Sequence, residues 1–553
     1  MAVLKEISLG GFQVFDQLTR IPIGDLTLLF GPNSAGKSAV ADALFLLRQF
    51  WTVPEKRRGN ELFSRYEGDR SRTLRRDWRR GEGNLYRDSA IRLHAKVQCD
   101  AKNFSRILNS IDGLVAPELP SSAKYDLETR LSFEHRDSPK KLPASDFMNI
   151  EVLVDGRCLL ILSEHSSVAI DLRHPILALT NLVLEECSEL ARVDANRVTF
   201  KDGWVTMHIA TEINGFRELD IDLAEDVYLD SWEGTGKPPP IRDALEELAS
   251  IHDPLLRGVS EIMQRACTLS VVSASRKIPT DEELTYLIGP GGSVANAPDL
   301  NLSLKGIPAF VDLAESCARV AWEKNSMPDG LDGDEEGEHI HDLGRSETVY
   351  LVNRMLSDHL FAKRGYRVDV DYQVLVNGRE FRDMTAGKVS SGGIARQPTM
   401  LAHLILADAQ GRRFSFTDVG SGLGYVLPVL VAIWSKSRSF IQQPELHLHP
   451  ALQASLGDVF LEAKNGGHRL IIETHSEHLL LRMLKRIRQG SKDARLGEEL
   501  KLAANELVVL YFDPSPDGST KVKHLRVDND GEFLDRWPNG FFTERDQELF
   551  DDE

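Results

Sequence analysis

The feature that most constrains this chain is a glycine-rich loop near its N-terminus, held between an apolar run and a helical pattern. The run Leu26–Phe30 predicts a short strand, and apolar residues at helical spacing predict a helix over 38–49. Between them, GPNSAGKS at 31–38 fills the pattern G-x-x-x-x-G-K-[ST]. A strand that turns through such a loop into a helix predicts an α/β fold.

The same loop predicts a phosphate-binding site. Gly31 and Gly36 allow backbone conformations that turn successive N–H groups inward, and the helix that follows adds positive charge at its N-terminus. Lys37 is expected to reach the β- and γ-phosphates of a nucleotide, and the Ser38 hydroxyl to bind Mg²⁺. The predicted nucleotide-binding residues of the loop are Gly31, Pro32, Asn33, Ser34, Ala35, Gly36, Lys37 and Ser38.

Charge limits the partners of the chain. Its 553 residues carry 66 basic and 84 acidic side chains, a net charge of -18, which excludes nucleic-acid binding over the whole surface. A basic, arginine-rich stretch at 56–87 reverses this balance locally. It is compatible with DNA or RNA contact, but a solvated face or a protein interface is favoured, because most charge runs have that role.

The pattern along the chain suggests several divisions. Alternating runs within 91–230 predict an antiparallel sheet, and the proline-rich stretch 233–240 predicts a boundary. Helices are predicted near 173–192, 241–266, 309–324 and 345–363, with an acidic connection at 329–342. The predicted divisions are an N-terminal segment with the phosphate loop at 1–50, a basic insertion and β-rich lobe at 51–235, a helical region with the acidic linker at 236–380, and a C-terminal segment at 381–553.

The last third of the chain predicts a parallel sheet. Short apolar strands are expected at 414–420, 439–443 and 468–475, separated by helices that start near Gly424, Pro450 and Ser476. No run is long enough to span a membrane, the N-terminus lacks the apolar core of a signal peptide, and the five cysteines form no C-x-x-C pair. A soluble, cytoplasmic protein without membrane contact is therefore expected.

Three motifs in that region carry a family resemblance. They are DVGSGLGYVLP at 418–428, IQQPELHLHP at 441–450 and IIETHSEHLLLR at 471–482, followed by WPNGFF at 537–542. Together with the phosphate loop, they resemble the ATPase heads of the ABC class in the branch that contains RecF, SMC and OLD proteins. In detail the chain is most similar to a bacterial group of stand-alone AAA-type ATPases that lack a Toprim domain.

The resemblance implies a fold, two cofactors and a set of residue roles. It implies an ABC-type P-loop ATPase head built from both chain ends, with an inserted antiparallel β lobe and a helical region, which binds ATP and Mg²⁺. It places Gln442 at the position of the metal-supporting acid, Gln443 at that of the water-polarising glutamate, and His475 at that of the switch histidine. Ser421, Gly422 and Gly424 match the signature that caps the nucleotide of a second subunit.

The resemblance also implies partners. A head-to-tail dimer or higher oligomer of the chain is expected to close on ATP, with 448–450 crossing to the other subunit. A separate effector protein, such as a nuclease, is expected, because the sixty or so residues after the His475 helix are too few for a nuclease domain. A sensor or regulatory subunit of a bacterial anti-phage defence system is the leading hypothesis. A DNA-repair or DNA-maintenance ATPase and a hydrolysis-deficient ATP-binding scaffold are the alternatives.

Two departures from the family pattern bear on activity. Related sequences read Glu-Gln-Pro-Glu where this one has Gln442, Gln443, Pro444 and Glu445, so binding is expected to survive while turnover is slow. Loss of a metal's supporting group costs about 10–100-fold, and loss of a general base roughly 10²–10⁴-fold. The amide at 442 is compatible with a natural variant and with a change made to trap ATP. In the signature, Gly424 and Tyr425 replace a usual Ser-Gln pair, and SSGG at 390–393 is a second candidate for that motif.

Other polar residues allow two readings each. His447, His449, His475 and His478 could hold zinc, but their place at strand ends and helix starts favours a role beside a nucleotide. Glu445 and Glu473 could help to hold Mg²⁺ or water, or could act only as caps. Arg276, after a predicted strand, could reach a phosphate or a partner, although a salt bridge is favoured.

Overall fold

The apolar run before the glycine loop forms a strand, and all five of its residues are buried. This is seen in a computed structural model, in which the strand pairs on both sides with parallel neighbours. Residues 2–52, 91–102, 122–134, 147–163, 167–171, 173–175, 177, 198–201, 204–208, 242–276, 285–288, 294–296, 347–361, 364–375, 382, 386, 399–435, 438–492 and 496–538 are described by the structure.

Twenty strands occur in the described residues, and they form three sheets. In chain order they are β1 (Val3–Gly10), β2 (Thr19–Pro22), β3 (Leu26–Phe30), β4 (Ile91–Asp100), β5 (Lys124–Glu134), β6 (Phe147–Val154), β7 (Arg157–Ser163), β8 (Ser167–Asp171), β9 (Val198–Lys201), β10 (Trp204–His208), β11 (Ser270–Val272), β12 (Thr285–Ile288), β13 (Val294–Asn296), β14 (Arg367–Leu375), β15 (Thr399–Ala407), β16 (Arg413–Phe414), β17 (Arg438–Gln442), β18 (Arg469–Glu473), β19 (Leu507–Pro514) and β20 (Thr520–Leu525).

Six α-helices occur in the same residues. They are α1 (Ala39–Thr52), α2 (Arg242–Cys267), α3 (Glu347–Arg354), α4 (Ser421–Ser435), α5 (Pro450–Asn465) and α6 (Glu477–Lys492), and a π-helical turn at Met355–Leu360 extends α3. The helices predicted over 38–49, 241–266 and 345–363 and those predicted to start near Gly424, Pro450 and Ser476 are thereby confirmed. A helix over 309–324 and one near 173–192 were also predicted, and both predictions lie largely or wholly outside the described residues.

The chain divides into two compact units. The first contains Met1–Ile23, Gly31–Thr268 and Phe512–Lys523, and the second contains Gly24–Phe30, Leu269–Tyr511 and His524–Glu553. Each unit is therefore assembled from segments that are distant in sequence.

The first unit is built on a nine-stranded antiparallel sheet. Its order is β2-β1-β4-β5-β6-β7-β8-β10-β9, so the antiparallel sheet predicted for 91–230 is confirmed for the described strands and is extended by β1 and β2. Residues of β4 alternate between buried and less buried positions, as expected of a sheet with one covered face. Helix α2 packs against α1 and β1, and Thr129 in β5 contacts Met263 of α2.

The second unit contains the parallel sheet. Strands β11, β17, β18 and β3 and the first half of β19 belong to this unit; they run in that order, and each is parallel to its neighbours. Helices α4, α5 and α6 connect or follow these strands, which is the strand–helix alternation predicted for the last third. A further antiparallel sheet, β13-β12-β15-β14 with β16 beside β15, belongs to the same unit. The fold is thus of mixed α/β class.

One predicted strand is wrong. Of 414–420, only Phe414 lies in a strand, the two-residue β16, and turns follow. The Ser415 hydroxyl accepts a hydrogen bond from the backbone N–H of Thr417 and lies 2.8 Å from the Thr417 hydroxyl. Such local bonds stabilise a turn at the expense of an extended ladder.

The core of the second unit is apolar and closed by an aromatic cluster. Buried side chains of β3, β17, β18 and α4 pack together, and Trp537 packs on this core from the C-terminal segment. The Trp537 ring makes edge-on contacts with Phe30, Tyr511 and Phe533 at 5.5, 6.2 and 5.1 Å between centroids. The C-terminal segment therefore docks on the core through Trp537, whereas Phe541 and Phe542 lie outside the described residues.

Among the described residues, no helix combines the length and the apolar character needed to cross a bilayer.

The substitution Trp537→Ala is expected to destabilise the second unit by about 2–4 kcal/mol, because it removes three ring contacts and leaves a cavity against the core. Leu534→Ala, three residues earlier at a side chain 59% exposed, is the matched control and should change the free energy of unfolding by less than about 0.5 kcal/mol. Denaturant unfolding of the two variants measures the difference, and equal effects would contradict a docked Trp537.

Candidate functional site

The phosphate loop in the first unit has the backbone that its sequence predicts. Gly31, Ser34 and Gly36 have positive φ angles of 138°, 63° and 87°. Alternation between left-handed and ordinary conformations is what creates an anion-binding concavity of backbone N–H groups. The loop is followed directly by α1, whose N-terminal dipole also favours negative charge.

Glycine is required at both fixed positions of the loop. A Cβ atom at Gly31 would lie 2.5 Å from the carbonyl oxygen of Phe512, and one at Gly36 would lie 2.2 Å from Cγ2 of Val14. Both distances are far below van der Waals contact. The tight backbone of this loop is therefore enforced by packing from neighbouring segments as well as by conformation.

Lys37 lies within the loop. Its side chain is buried, with 3% exposed, and Nζ donates hydrogen bonds to the carbonyl oxygens of Gly31 and Pro32 at 2.9 and 2.8 Å. Pro32, Asn33, Ser34 and Ser38 are exposed, and Ala35 is buried. A buried ammonium group, a glycine-shaped concavity and an exposed hydroxyl at 38 fit the triphosphate of a nucleotide with its Mg²⁺.

In the second unit, the predicted catalytic residues lie at the carboxyl edge of the parallel sheet. Gln442 ends β17 and Glu473 ends β18, and the two are partners in the strand register. The Gln442 amide Nε2 donates to Oε2 of Glu473 at 3.1 Å, and its Oε1 accepts a bond from the N–H of Ala274 at 3.3 Å. Both side chains are buried, with 6% and 7% exposed.

These bonds fix the chemistry of position 442. A carboxylate only accepts hydrogen bonds and a backbone N–H only donates, so the amide satisfies both neighbours in a single orientation. A carboxyl group there would place two acids side by side. An uncharged amide at 442 therefore avoids a second carboxyl group next to Glu473. The carboxyl group next to Gln442 is that of Glu473, which the sequence marked only as a possible ligand of Mg²⁺ or water, or as a cap.

Gln443 has a different role in the backbone. Its φ angle is 44°, in the left-handed region that few residues other than glycine adopt, and its N–H donates to the carbonyl oxygen of Glu473 at 2.7 Å. A left-handed glutamine costs free energy that the surrounding bonds must offset, a pattern frequent at functional sites. The strand therefore turns sharply directly after Gln442.

The switch segment is held by its neighbours. The backbone N–H of His475 donates to Oε1 of Glu445 at 2.7 Å, and burial raises the pKa of the Glu445 carboxyl group above its ordinary value. Ser476 caps α6 by accepting a bond from the N–H of Leu479 at 3.1 Å. The sequence-predicted His475 thus lies at the point where β18 gives way to α6.

The signature segment (420–425) opens α4. Ser421 is exposed at the first position of the helix, whereas Gly424 is buried. A Cβ atom at Gly422 would lie 2.9 Å from the carbonyl oxygen of His447, and the Tyr425 ring stacks on the His447 ring with centroids 4.4 Å apart. The signature segment and the LHLHP segment (446–450) therefore pack on each other.

Arg276 is the residue whose place sequence reasoning missed. A salt bridge was favoured, but within the described part of the chain its hydrogen bonds go to carbonyl oxygens. Nε donates to Tyr425 at 2.8 Å, one terminal nitrogen to Gln442 at 2.9 Å and Ser273 at 3.2 Å, and the other to Gln443 at 2.9 Å. The sequence signal that could have indicated this role is a basic residue that follows a strand and precedes a turn.

Other predictions meet the structure only in part. Within the described ranges, no group of three or more histidine, cysteine, aspartate or glutamate residues is placed to hold a metal ion, which gives the zinc reading of the histidines no support. Instead, His449 caps α5 through Nδ1, and His447 stacks on Tyr425. The basic stretch 56–87 and the second signature candidate at 390–393 lie outside the described residues.

Comparison with known proteins identifies one domain. Residues 346–482 match a family described as "AAA domain, putative AbiEii toxin, Type IV TA system". The matched stretch contains the signature segment, Gln442, Gln443 and His475 and lies C-terminal to the phosphate loop. This stretch of the chain is thus similar to an AAA domain.

Two solved structures are among those to which this chain is similar. An SMC head bound to the C-winged helix domain of ScpA is 11% identical, with a TM-score of 0.37 and coverage of 95% of this chain and 98% of that one. The SMC head domain from Thermotoga maritima is 10% identical, with a TM-score of 0.33 and coverage of 95% and 100%. A search of curated proteins finds no match to the chain.

The substitution Gln442→Glu is expected to make stability depend on pH. Two carboxyl groups about 3 Å apart raise the pKa of one of them above its unfolded value. The folded variant then binds more protons than the unfolded chain, so its stability relative to the parent falls as the pH rises above about 4.3. A loss of about 1–3 kcal/mol is expected at pH 8 without divalent cations, and little at pH 4.

Thermal unfolding of the variant and the parent from pH 4 to 8 measures this dependence. Gln443→Glu is the matched control, since it adds the same charge at a partly exposed position one residue later. A pH-independent difference between Gln442→Glu and the parent would contradict the assigned contact with Glu473.

Proposed function

We propose that this protein is an ATP-binding, ABC-type ATPase that works as a nucleotide-gated dimer. The observation that carries the proposal is the loop at 31–38, where packing requires glycine at two positions and buries Lys37. The AAA-class domain at 346–482 supports the same nucleotide chemistry from an independent part of the chain.

The proposed roles follow the motif residues. Gly31 to Ser38 bind the triphosphate through backbone N–H groups and Lys37, and the Ser38 hydroxyl ligates Mg²⁺, which supplies charge neutralisation at the phosphates. Gln442, with Glu473 beside it, supports the metal's water shell. Gln443 positions water, and His475 contacts the γ-phosphate. Because the paired glutamines are neutral, ATP is bound firmly and hydrolysed slowly.

We further propose that the signature segment meets the nucleotide of a second subunit. Ser421 is exposed at the N-terminus of α4, where a hydroxyl and a helix dipole together suit a phosphate oxygen. Head-to-tail contact then gives two equivalent ATP sites in a symmetric dimer. Gly422 and Gly424 allow close approach of backbone, although the burial of Gly424 assigns it to packing within α4.

The biological role proposed is that of a sensor or regulatory subunit in bacterial anti-phage defence. The motif resemblance to stand-alone defence ATPases supports it, and the matched family's description as a putative toxin of a Type IV toxin–antitoxin system fits the same kind of role. A separate effector protein, such as a nuclease, would then respond to the nucleotide state of the dimer.

The substitution Lys37→Met is expected to weaken ATP binding at least about 100-fold, because it removes the only charged contact that the loop itself offers to the β- and γ-phosphates. Lys5→Met, at an exposed position of β1, is the control and should leave affinity unchanged. Titration of a fluorescent ATP analogue with Mg²⁺ measures both. Unchanged affinity in Lys37→Met, with the fold intact by circular dichroism, would contradict the proposal.

The substitution Gln442→Glu is expected to raise ATP hydrolysis about 10–100-fold, because a charged group would then support the metal. Phosphate release at saturating Mg²⁺ and ATP measures the rate, with Gln410→Glu on an exposed turn as control. No increase would favour the inactive ATP-binding scaffold. A rate that rises only when DNA is added would favour the DNA-maintenance ATPase.

A further inference from the structure

Three chain segments meet at Arg276. They are the segment after β11 (273–276), the first turn of α4 (421–425) and the end of β17 (442–443). Four carbonyl oxygens, from four residues on these segments, accept hydrogen bonds from one guanidinium group. The planar fork of arginine can satisfy acceptors in several directions at once, which a lysine ammonium on its single flexible stem cannot do in the same geometry.

The guanidinium is buried, with 8% of the residue exposed. Burial lowers its pKa to about 10, so it is still a cation at neutral pH. Glu445 is the acid whose charge favours the protonated form. A buried cation bonded to carbonyl oxygens is a costly way to hold chain segments together, since apolar residues of similar volume often do this as well or better. The arrangement therefore indicates that Arg276 sets the geometry of the three segments rather than adding to the free energy of unfolding.

Arg276 bonds or contacts residues near two left-handed backbone positions, Gln443 and His447. Gln443 has a left-handed conformation, and its carbonyl oxygen accepts from Arg276 at 2.9 Å. On the other side the guanidinium carbon lies 5.8 Å from the centre of the Tyr425 ring, and that ring stacks on His447, which is also left-handed with φ 61°. Besides their direct packing, the strained loop after β17 and the start of α4 are thus bonded to the same side chain, that of Arg276.

We infer that Arg276 is a positioning residue that holds the paired-glutamine turn and the first turn of α4 together as one element. The inference deepens the proposed function and rests on it for its consequence. If Gln443 acts on the nucleotide and Ser421 faces a second subunit, a change at the paired glutamines moves the partner-facing turn through the guanidinium. Arg276 itself contacts neither nucleotide nor metal in this account.

The experiment is hydrogen–deuterium exchange of the full-length chain, parent and Arg276→Lys, with and without Mg²⁺ and ATP. Arg469→Lys is the matched control, because Arg469 is an ion-paired arginine at the opposite end of β18, bonded to Asp25 at 2.8 Å. The peptides of interest cover 419–430 and 438–448. Affinity for the fluorescent ATP analogue is measured on the same preparations.

Without nucleotide, Arg276→Lys is expected to speed exchange about tenfold in both peptides together, since both lose the same partner, while Arg469→Lys changes neither. With Mg²⁺ and ATP, the parent should show slower exchange in both peptides. Arg276→Lys should keep ATP affinity within about threefold but lose the response of 419–430. If Arg276 only stabilised the fold, Arg276→Lys would not remove the response to ATP in 419–430 while keeping it in 438–448.

Exchange in both peptides within twofold of the parent would overturn the inference, as would faster exchange confined to one of them. The nucleotide-free comparison does not depend on ATP. If the parent itself fails to bind ATP, the proposed function fails, and the joint opening of the two peptides still decides the role of Arg276. If Arg276→Lys does not fold, Tyr425→Phe and Tyr425→Leu test the ring that lies over the guanidinium, while the backbone carbonyl that Arg276 bonds stays in place. The ring-preserving change should behave as the parent, and the other should speed exchange in both peptides.

Discussion

The parallel pairing of β3 with β18 and β19 is the constraint on which the site depends. All five residues of β3 are buried, and its single polar side chain, Thr27, accepts a hydrogen bond from the backbone N–H of Gly24 at 2.9 Å. A strand enclosed on both edges and both faces has one register available. Its carboxyl end is thereby fixed, and the glycine loop begins with the next residue. The same register places Glu473 opposite Leu29, on the strand next to β3.

At the carboxyl edge of this sheet, side chains and backbone groups form a connected hydrogen-bond network. The Gln442 amide joins Glu473 and Ala274, the N–H of Gln443 reaches the Glu473 carbonyl oxygen, and Glu445 holds the N–H of His475. Because the Gln442 amide bonds both of its neighbours, glutamine at 442 is compatible with a well-ordered site. Under the proposed function, the consequence of the amide is for the rate of hydrolysis rather than for the binding of ATP.

Local patterns predicted much of this from sequence. The strand–loop–helix at 26–52, the strands ending at Gln442 and Glu473, and the helices after Pro450 and Ser476 each carry their own signal of apolar period and turn chemistry. The prediction of a strand over 414–420 was wrong because the hydroxyls of Ser415 and Thr417 support a turn. The alternation of apolar residues in the sequence does not reveal that turn. Two features could not be predicted because they arise from long-range contact. One is the Gln442–Glu473 hydrogen bond. The other is the set of carbonyl oxygens that bond Arg276, because three of the four residues that carry them are 149 to 167 residues away from Arg276 in the sequence.

We propose that bound ATP, rather than its turnover, sets whether the molecule is a monomer or a dimer. The most direct test is the mass in solution by light scattering, with and without Mg²⁺ and ATP. The account predicts that the 61.9 kDa chain doubles in mass when ATP is bound and stays doubled while the nucleotide is intact, with ADP giving the lower mass. A mass that is the same with ATP, with ADP and without nucleotide, under conditions where ATP binding is saturated, would contradict it.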